Sequence, residues 1–227
     1  EDAGLAPRKD CTLAWMPTIT KLSRQALFRG NTPNPNYVQS PSHENELWTE
    51  FWMNYYDNSK RMNKHEIVYT HGSIQISDTR PFRQAFVDVT LDDVMHHLPG
   101  NKDLFDVTEN WAHDAAKSII ELHKQGFTVY ITTDHGNVYS YGWRNLLPEE
   151  KTYLYKNESR GKRHLMYQDN QAMFNFVDSN IEISKELLVH DKWIVWRTAK
   201  CFDSQDIITH GGAHFLEVVI PFITIDK

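Results

Sequence analysis

The run Phe127-Thr-Val-Tyr-Ile-Thr-Thr-Asp134-His135-Gly136 constrains this chain more than any other. An apolar, β-branched stretch reads as a buried strand. It stops at an Asp–His pair, two residues that suit a strand core poorly and bind divalent zinc well. In α/β proteins, chemistry collects beyond the carboxyl ends of strands. A second piece, His210-Gly211-Gly212, stands just before another strand-like run, Phe215 to Ile225. Two histidines, each beside glycine and each at the edge of a strand, suggest a metal site assembled from distant segments.

With 227 residues the chain is long enough for one sizeable domain with its own core. A net charge of −6 argues against a sequence-blind duplex-DNA binder, which needs a basic face, but leaves a nuclease or nucleotide hydrolase open. Two cysteines, Cys11 and Cys201, are too few for a disulfide framework, so a reducing, cytoplasmic compartment is expected. The apolar stretch from Phe215 is interrupted by Glu217 and Pro221 and is too short to span a bilayer. No signal peptide is visible at Glu1 to Leu5.

Thr20 to Arg29 reads as a helix stopped by Gly30, followed by a proline- and asparagine-rich loop over 31–42. Leu47, Phe51 and Tyr55 recur at helical spacing, and Glu66 to Thr70 reads as a short strand. Leu91 to Leu98 is expected as a short helix, and Thr108 as the cap of a longer one from Glu109 to Gln125. After the strand ending at Thr132, residues 139–170 are polar, aromatic and basic and are expected to form a surface insertion. Asn180 to Leu188 is expected as a helix, with Trp193 to Thr198 and Leu216 to Ile225 as strands. Helix and strand in alternation predict an α/β fold with a mostly parallel central sheet.

Several segments carry candidate chemistry, each with an ordinary structural alternative. Asp134-His135-Gly136 alone also reads as a turn. Asp93 and His97 lie four apart on one helical face and could chelate one ion; Asp92 and His96 offer the same geometry one step back, and a capping carboxylate with a surface histidine is the alternative. His210 lies beside glycines that permit close backbone approach, or simply form a flexible turn. Thr20 opens a helix, where free N–H groups suit a phosphate; bound to Zn2+ its hydroxyl would have a lowered pKa and become a nucleophile, and otherwise it is a helix cap. Arg24, one turn on, could hold a phosphate oxygen. One hydroxyl, two Asp and three His suit a pair of divalent ions, with Zn2+ favoured by the imidazoles over Mn2+ or Mg2+.

These segments resemble the PglZ domain of the alkaline phosphatase superfamily. The likeness rests on Met16-Pro-Thr-Ile-Thr-Lys-Leu-Ser-Arg to Gly30, Val89-Thr-Leu-Asp-Asp-Val-Met-His-His97, Thr132-Thr-Asp-His-Gly136 and His210-Gly-Gly-Ala-His-Phe-Leu-Glu-Val-Val-Ile-Pro221. It covers residues 12 to 225. The resemblance implies an alkaline-phosphatase-like fold and Thr20 as a metal-bound nucleophile. It further implies Asp134 and His135 as ligands of the nucleophile's metal, and Asp93, His97 and His210 as ligands of a second. The implied activity is phosphodiester cleavage, on nucleotides or oligonucleotides, in phage-defence (BREX) or two-component signalling systems with their partner proteins. The family carries a further Asp at the end of a first strand upstream of its nucleophile. Neither Asp2 nor Asp10 follows an apolar strand, so a single domain over 1–227 that lacks that strand, as an N-terminally incomplete piece of a larger protein, is expected. A catalytically impaired scaffold is the alternative reading. Within the expected insertion, Arg160, Lys162 and Arg163 lie among aromatics, as in a substrate-contacting loop, and a solvated charged loop has the same composition.

Overall fold

Strand β11 (Val219–Ile225) is the middle of the sheet nearest the Asp–His pair, between β1 (Arg8–Leu13) and β4 (Val129–Thr132), and antiparallel to both. The computed structural model describes residues 4–34, 36–72, 74, 76, 83–91, 103–159 and 162–227. Helix α1 (Thr20–Arg29) follows β1, and α2 (Pro41–Met53) packs against it. Ser40 caps α2 through its hydroxyl, with Pro41 in the first turn, where its missing N–H costs nothing. A parallel pair, β2 (Ile67–His71) with β3 (Arg83–Val87), packs beside α2.

Helix α3 (Leu104–Lys124) leads into β4. It begins earlier than Thr108 because the Asp103 carboxylate accepts the N–H groups of Phe105 and Asp106, while the Thr108 hydroxyl turns back to the Phe105 carbonyl. Beyond β4, strand β5 (Val138–Gly142) sits between β9 (Lys200–Cys201) and β10 (Ile207–Thr209). A third group, β6 (His164–Met166), β7 (Leu187–His190) and β8 (Trp193–Trp196), is antiparallel with β8 in the middle. It contributes to a core with α5 (Asn170–Ser179), in which Leu165, Tyr167, Met173, Ile194, Trp196 and Phe202 are buried.

The α/β class stands, but strand pairing differs from the expectation. Among the described residues only β2–β3 and β5–β9 are parallel. Alternation of helix and strand fixes the order of elements, not which strands become neighbours: β4 pairs with β11, which enters from the opposite direction through the short helix α6 (Phe215–Val218). Residues 139–170 are not a surface loop either. They supply β5, the helix α4 (Pro148–Lys151) and β6, and they bury Ser140, Leu154, Arg163, His164, Leu165 and Tyr167. Residues 181–186 form a 3-10 turn rather than an α-helix. Residues 8–13, where the sequence was not expected to supply a strand, form β1, and all six of its residues are exposed. Among the described residues no helix is long and apolar enough to cross a membrane.

Candidate active site

Thr20 is the first residue of α1, whose preceding residue, Ile19, offers no side-chain cap. The Ile19 carbonyl accepts the N–H groups of Leu22 and Ser23, and no side chain caps those of Thr20 and Lys21, at the positive end of the helix dipole. Thr20 Oγ1 lies 3.1 Å from His135 Nε2. The His135 Nδ1–H donates to the Gly136 carbonyl at 3.1 Å, which leaves the Nε2 lone pair for the hydroxyl or for an ion. His210 is oriented in the same way: its Nδ1–H donates to the Thr18 carbonyl at 2.9 Å. The two imidazoles stack with centroids 3.8 Å apart and planes at 14°. Asp134 Oδ2 lies 3.6 Å from His135 Nε2 and is buried with no hydrogen-bond partner.

What holds these groups is a frame of glycines and one buried ion pair. A Cβ on Gly136 would lie 2.0 Å from the Leu216 carbonyl, so the Asp-His-Gly turn can seat directly on the α6 backbone, where the Gly136 N–H donates to the Glu217 carbonyl. Its glycine is needed for this contact and not for a left-handed φ. Gly212 is enclosed similarly, its missing Cβ replaced by the Trp196 carbonyl, Arg163 and Glu217. The fully buried Glu217 carboxylate accepts the N–H groups of Gly212 and His214 and a two-pronged bond from Arg163. The Thr18 hydroxyl donates to the Gly212 carbonyl and accepts the Gly211 N–H. Thus the His-Gly-Gly turn is bolted to the segment that carries Thr20.

Of the expected site residues, Thr20, Asp134, His135 and His210 come together. Asp93 and His97, with the alternative pair Asp92 and His96, lie outside the described residues, as does Arg160. Arg24 is buried and ion-paired to Glu44 at 2.5 Å. Burial alone would lower its pKa, but the Glu44 carboxylate, with Asp134 adding to it, more than offsets this and holds the guanidinium above its ordinary value. Lys162 is partly exposed and paired with Asp203. Arg163 is corrected outright: it is fully buried, bonded to Glu217, Ser140 and the carbonyls of Trp196, Thr198 and Lys200, and so has no access to a ligand. The 139–170 stretch does reach α1, through Glu158, which pairs with Lys21 beside Thr20.

Asp134 Oδ2, His135 Nε2 and Thr20 Oγ1 form a donor set that fits a divalent ion, because a buried carboxylate oxygen without a partner would otherwise be costly. Among the described residues, however, no group of three His, Cys, Asp or Glu is arranged to hold a metal.

Helices, several sheets and a site at strand ends define a phosphoesterase-type, alkaline-phosphatase-like α/β fold. Murine ectonucleotide pyrophosphatase/phosphodiesterase 5 shares it, with a TM-score of 0.55 over 95% of this chain and 79% of that chain. At 14% identity that likeness is one of fold alone. The chain belongs to the PglZ family: the BREX system PglZ alkaline phosphatase-like domain matches residues 1–225. No curated protein sequence matches it.

Proposed function

We propose that the protein is a metal-dependent phosphodiesterase that hydrolyses nucleotide or oligonucleotide phosphoesters with Thr20 as nucleophile. The convergence of Thr20 Oγ1, His135 Nε2 and the partnerless Asp134 Oδ2 at the start of α1 carries this reading. The first N–H groups of α1 bind the phosphoryl oxygens, with Arg24 behind them. His135 orients the Thr20 hydroxyl. As the hydroxyl gives its proton to solvent water, Oγ1 bonds to phosphorus and the bond to the leaving alkoxide breaks, and the alkoxide takes a proton from water. A water molecule then displaces Thr20 from phosphorus, and a proton returns to Oγ1. A divalent cation held by Asp134 and His135, with His210, Asp93 and His97 for a second, would lower the hydroxyl's pKa and neutralise charge on the phosphoryl oxygens; Zn2+ suits the imidazoles.

Purified protein with Zn2+ is expected to hydrolyse bis(nitrophenyl) phosphate, and Thr20→Ala to abolish the reaction while leaving stability nearly unchanged. Activity that survives the substitution sinks the nucleophile assignment. The family description names the BREX system, and a cytoplasmic role in phage defence or in signalling, beside partner proteins, is part of this proposal. A second reading, a catalytically impaired scaffold, is favoured because no three His, Cys, Asp or Glu among the described residues are arranged to hold a metal. Metal analysis separates the two: tightly held ions support the enzyme, and none supports the scaffold.

A further inference from the structure

Helix α2 and the turn that follows it carry a ladder of aromatic rings that starts against the last turn of α1 and ends in solvent. Trp48 and Trp52 meet edge-on at 5.5 Å, Trp52 and Tyr55 stack at 5.1 Å and 20°, and Tyr55 and Tyr56 lie 4.5 Å apart at 36°. The inner end is architecture: Trp48 Nε1 donates to the Val68 carbonyl, and Phe28 packs edge-on against Trp48 and Tyr69. The outer end packs on much less, since Tyr56 is 82% exposed. Burying the Tyr56 ring would have been the cheaper fate for such a group, and its exposure against the half-buried Tyr55 ring points to a ligand with flat faces.

Cations surround that outer end. The Arg83 guanidinium lies 4.6 Å over the Trp52 ring. Arg61 Nε donates to the Tyr55 carbonyl, which fixes a second guanidinium next to the two tyrosines. Lys60 and Lys64 are exposed on the same short segment. Its two carboxylates are engaged locally, Asp57 with Ser59 and Lys60, and Glu66 with the Asn63 N–H and side chain. Glu46 and Glu50 precede Trp48 and Trp52 by two residues, which places them roughly on the opposite side of the helix. A basic patch in a chain of net charge −6 is a local feature.

We propose that Tyr56 and Tyr55, backed by Trp52 and flanked by Arg61 and Arg83, form a stacking surface for the unpaired bases of single-stranded nucleic acid. Ring faces take bases of any sequence and guanidinium groups take the phosphates between them. A duplex hides its base faces and offers only its backbone. The surface also has a direction. Glu44, in the first turn of α2, binds Arg24, whose charge acts on Asp134. From Glu44 to Met53 the helix rises roughly 14 Å, so a strand with its scissile phosphate at Thr20 would reach the tyrosines a few nucleotides on. In that purpose the inference rests on the oligonucleotide reading of the Thr20 site, but binding is measured without hydrolysis.

The test is fluorescence anisotropy of the full chain in EDTA with a labelled oligothymidylate of about 12 nucleotides, against a duplex of equal length. The single strand should bind more tightly than the duplex, and more weakly as salt rises from about 50 to 200 mM. Tyr56→Ala and Arg61→Ala should each weaken it about tenfold, and Tyr56→Phe should not. Circular dichroism confirms that these surface variants fold. No binding of the single strand, equal binding by Tyr56→Ala, or a preference for duplex overturns the inference; a protein partner on this face would show the first of these. Tyr56→Ala should hydrolyse the small nitrophenyl ester at the wild-type rate. Binding without any ester hydrolysis leaves this surface standing and sinks the Thr20 reading, and hydrolysis without binding does the reverse.

Discussion

Two buried arginine–glutamate pairs flank the candidate site, and they are built differently. In Arg163–Glu217 both side chains are fully buried, and the donors of the guanidinium go to Glu217, Ser140 and three backbone carbonyls. Glu217 in turn accepts two backbone N–H groups of the His-Gly-Gly turn. In Arg24–Glu44 the carboxylate is as buried, but Arg24 Nε has no hydrogen-bond partner, and the charge is felt by Asp134. A closed pair repays its desolvation locally and serves as architecture. An open pair leaves donor capacity and field for something else, and its place beside Asp134 is where a substrate anion would use them. The same two residue types thus do opposite work, according to how completely their hydrogen bonds are filled.

The closed pair gives the largest expected effect. Glu217→Ala strips the buried Arg163 of its counter-charge and the turn of two acceptors, and should cost about 3–5 kcal/mol, read as a fall in the urea midpoint. A loss under about 1 kcal/mol would mean that water reaches Arg163 and the pair is not closed. Next comes His164, adjacent to Arg163 and packed on Gly211. Burial pushes its imidazole down to about 4, against bonds to the Glu158 carbonyl and nearby carboxylates that favour the charged form. The unfolded chain therefore takes up this proton first as pH falls. The stability tied to neutral His164 is complete above the unfolded value near 6.5 and is lost as pH drops toward 4, by about 3 kcal/mol in all. Denaturant midpoints between these limits measure it. His164→Gln should flatten that part of the profile, and an unchanged slope would show that other groups set it.

The sequence exposed the ends of this design better than its middle. The Asp134-His135-Gly136 and His210-Gly211-Gly212 turns were legible because glycine beside a ligand-type residue at a strand end has few other uses, and Thr20 because a helix start was readable. Arg163 was misread as a surface cation. Its neighbours Gly161, Lys162 and His164 are polar, and local composition cannot show that a carboxylate 54 residues away fills its fork. The signal that could have found the pair was Glu217 itself, a lone carboxylate inside an apolar run, which must be paired if buried. The strand pairings were illegible for a related reason: register and neighbour are decided by contacts distant in sequence, such as β4 with β11. Burial of the 139–170 stretch was missed because its apolar residues are spaced irregularly among charges, and no single period reveals a face.

The smallest effect is also the finest probe of the open pair. Tyr69 donates its hydroxyl to Glu44 Oε2, the oxygen that also takes Arg24. Burial, and then that bond to Glu44, hold the phenol well above its ordinary pKa, so it stays a donor at any pH the fold survives. Tyr69→Phe removes one donor and keeps the ring that packs on Phe28. Glu44 retains Arg24 and a longer bond from Gln39. The expected loss is about 1–2 kcal/mol, well short of that for Glu217→Ala. With less competition for Glu44, Arg24 should lean further onto the carboxylate and away from Asp134, so ester hydrolysis should fall through a raised KM with little change in kcat. A stability loss equal to that of Glu217→Ala would erase the distinction between the two pairs. An unchanged KM would show that Arg24 serves Glu44 alone and does not act on the site.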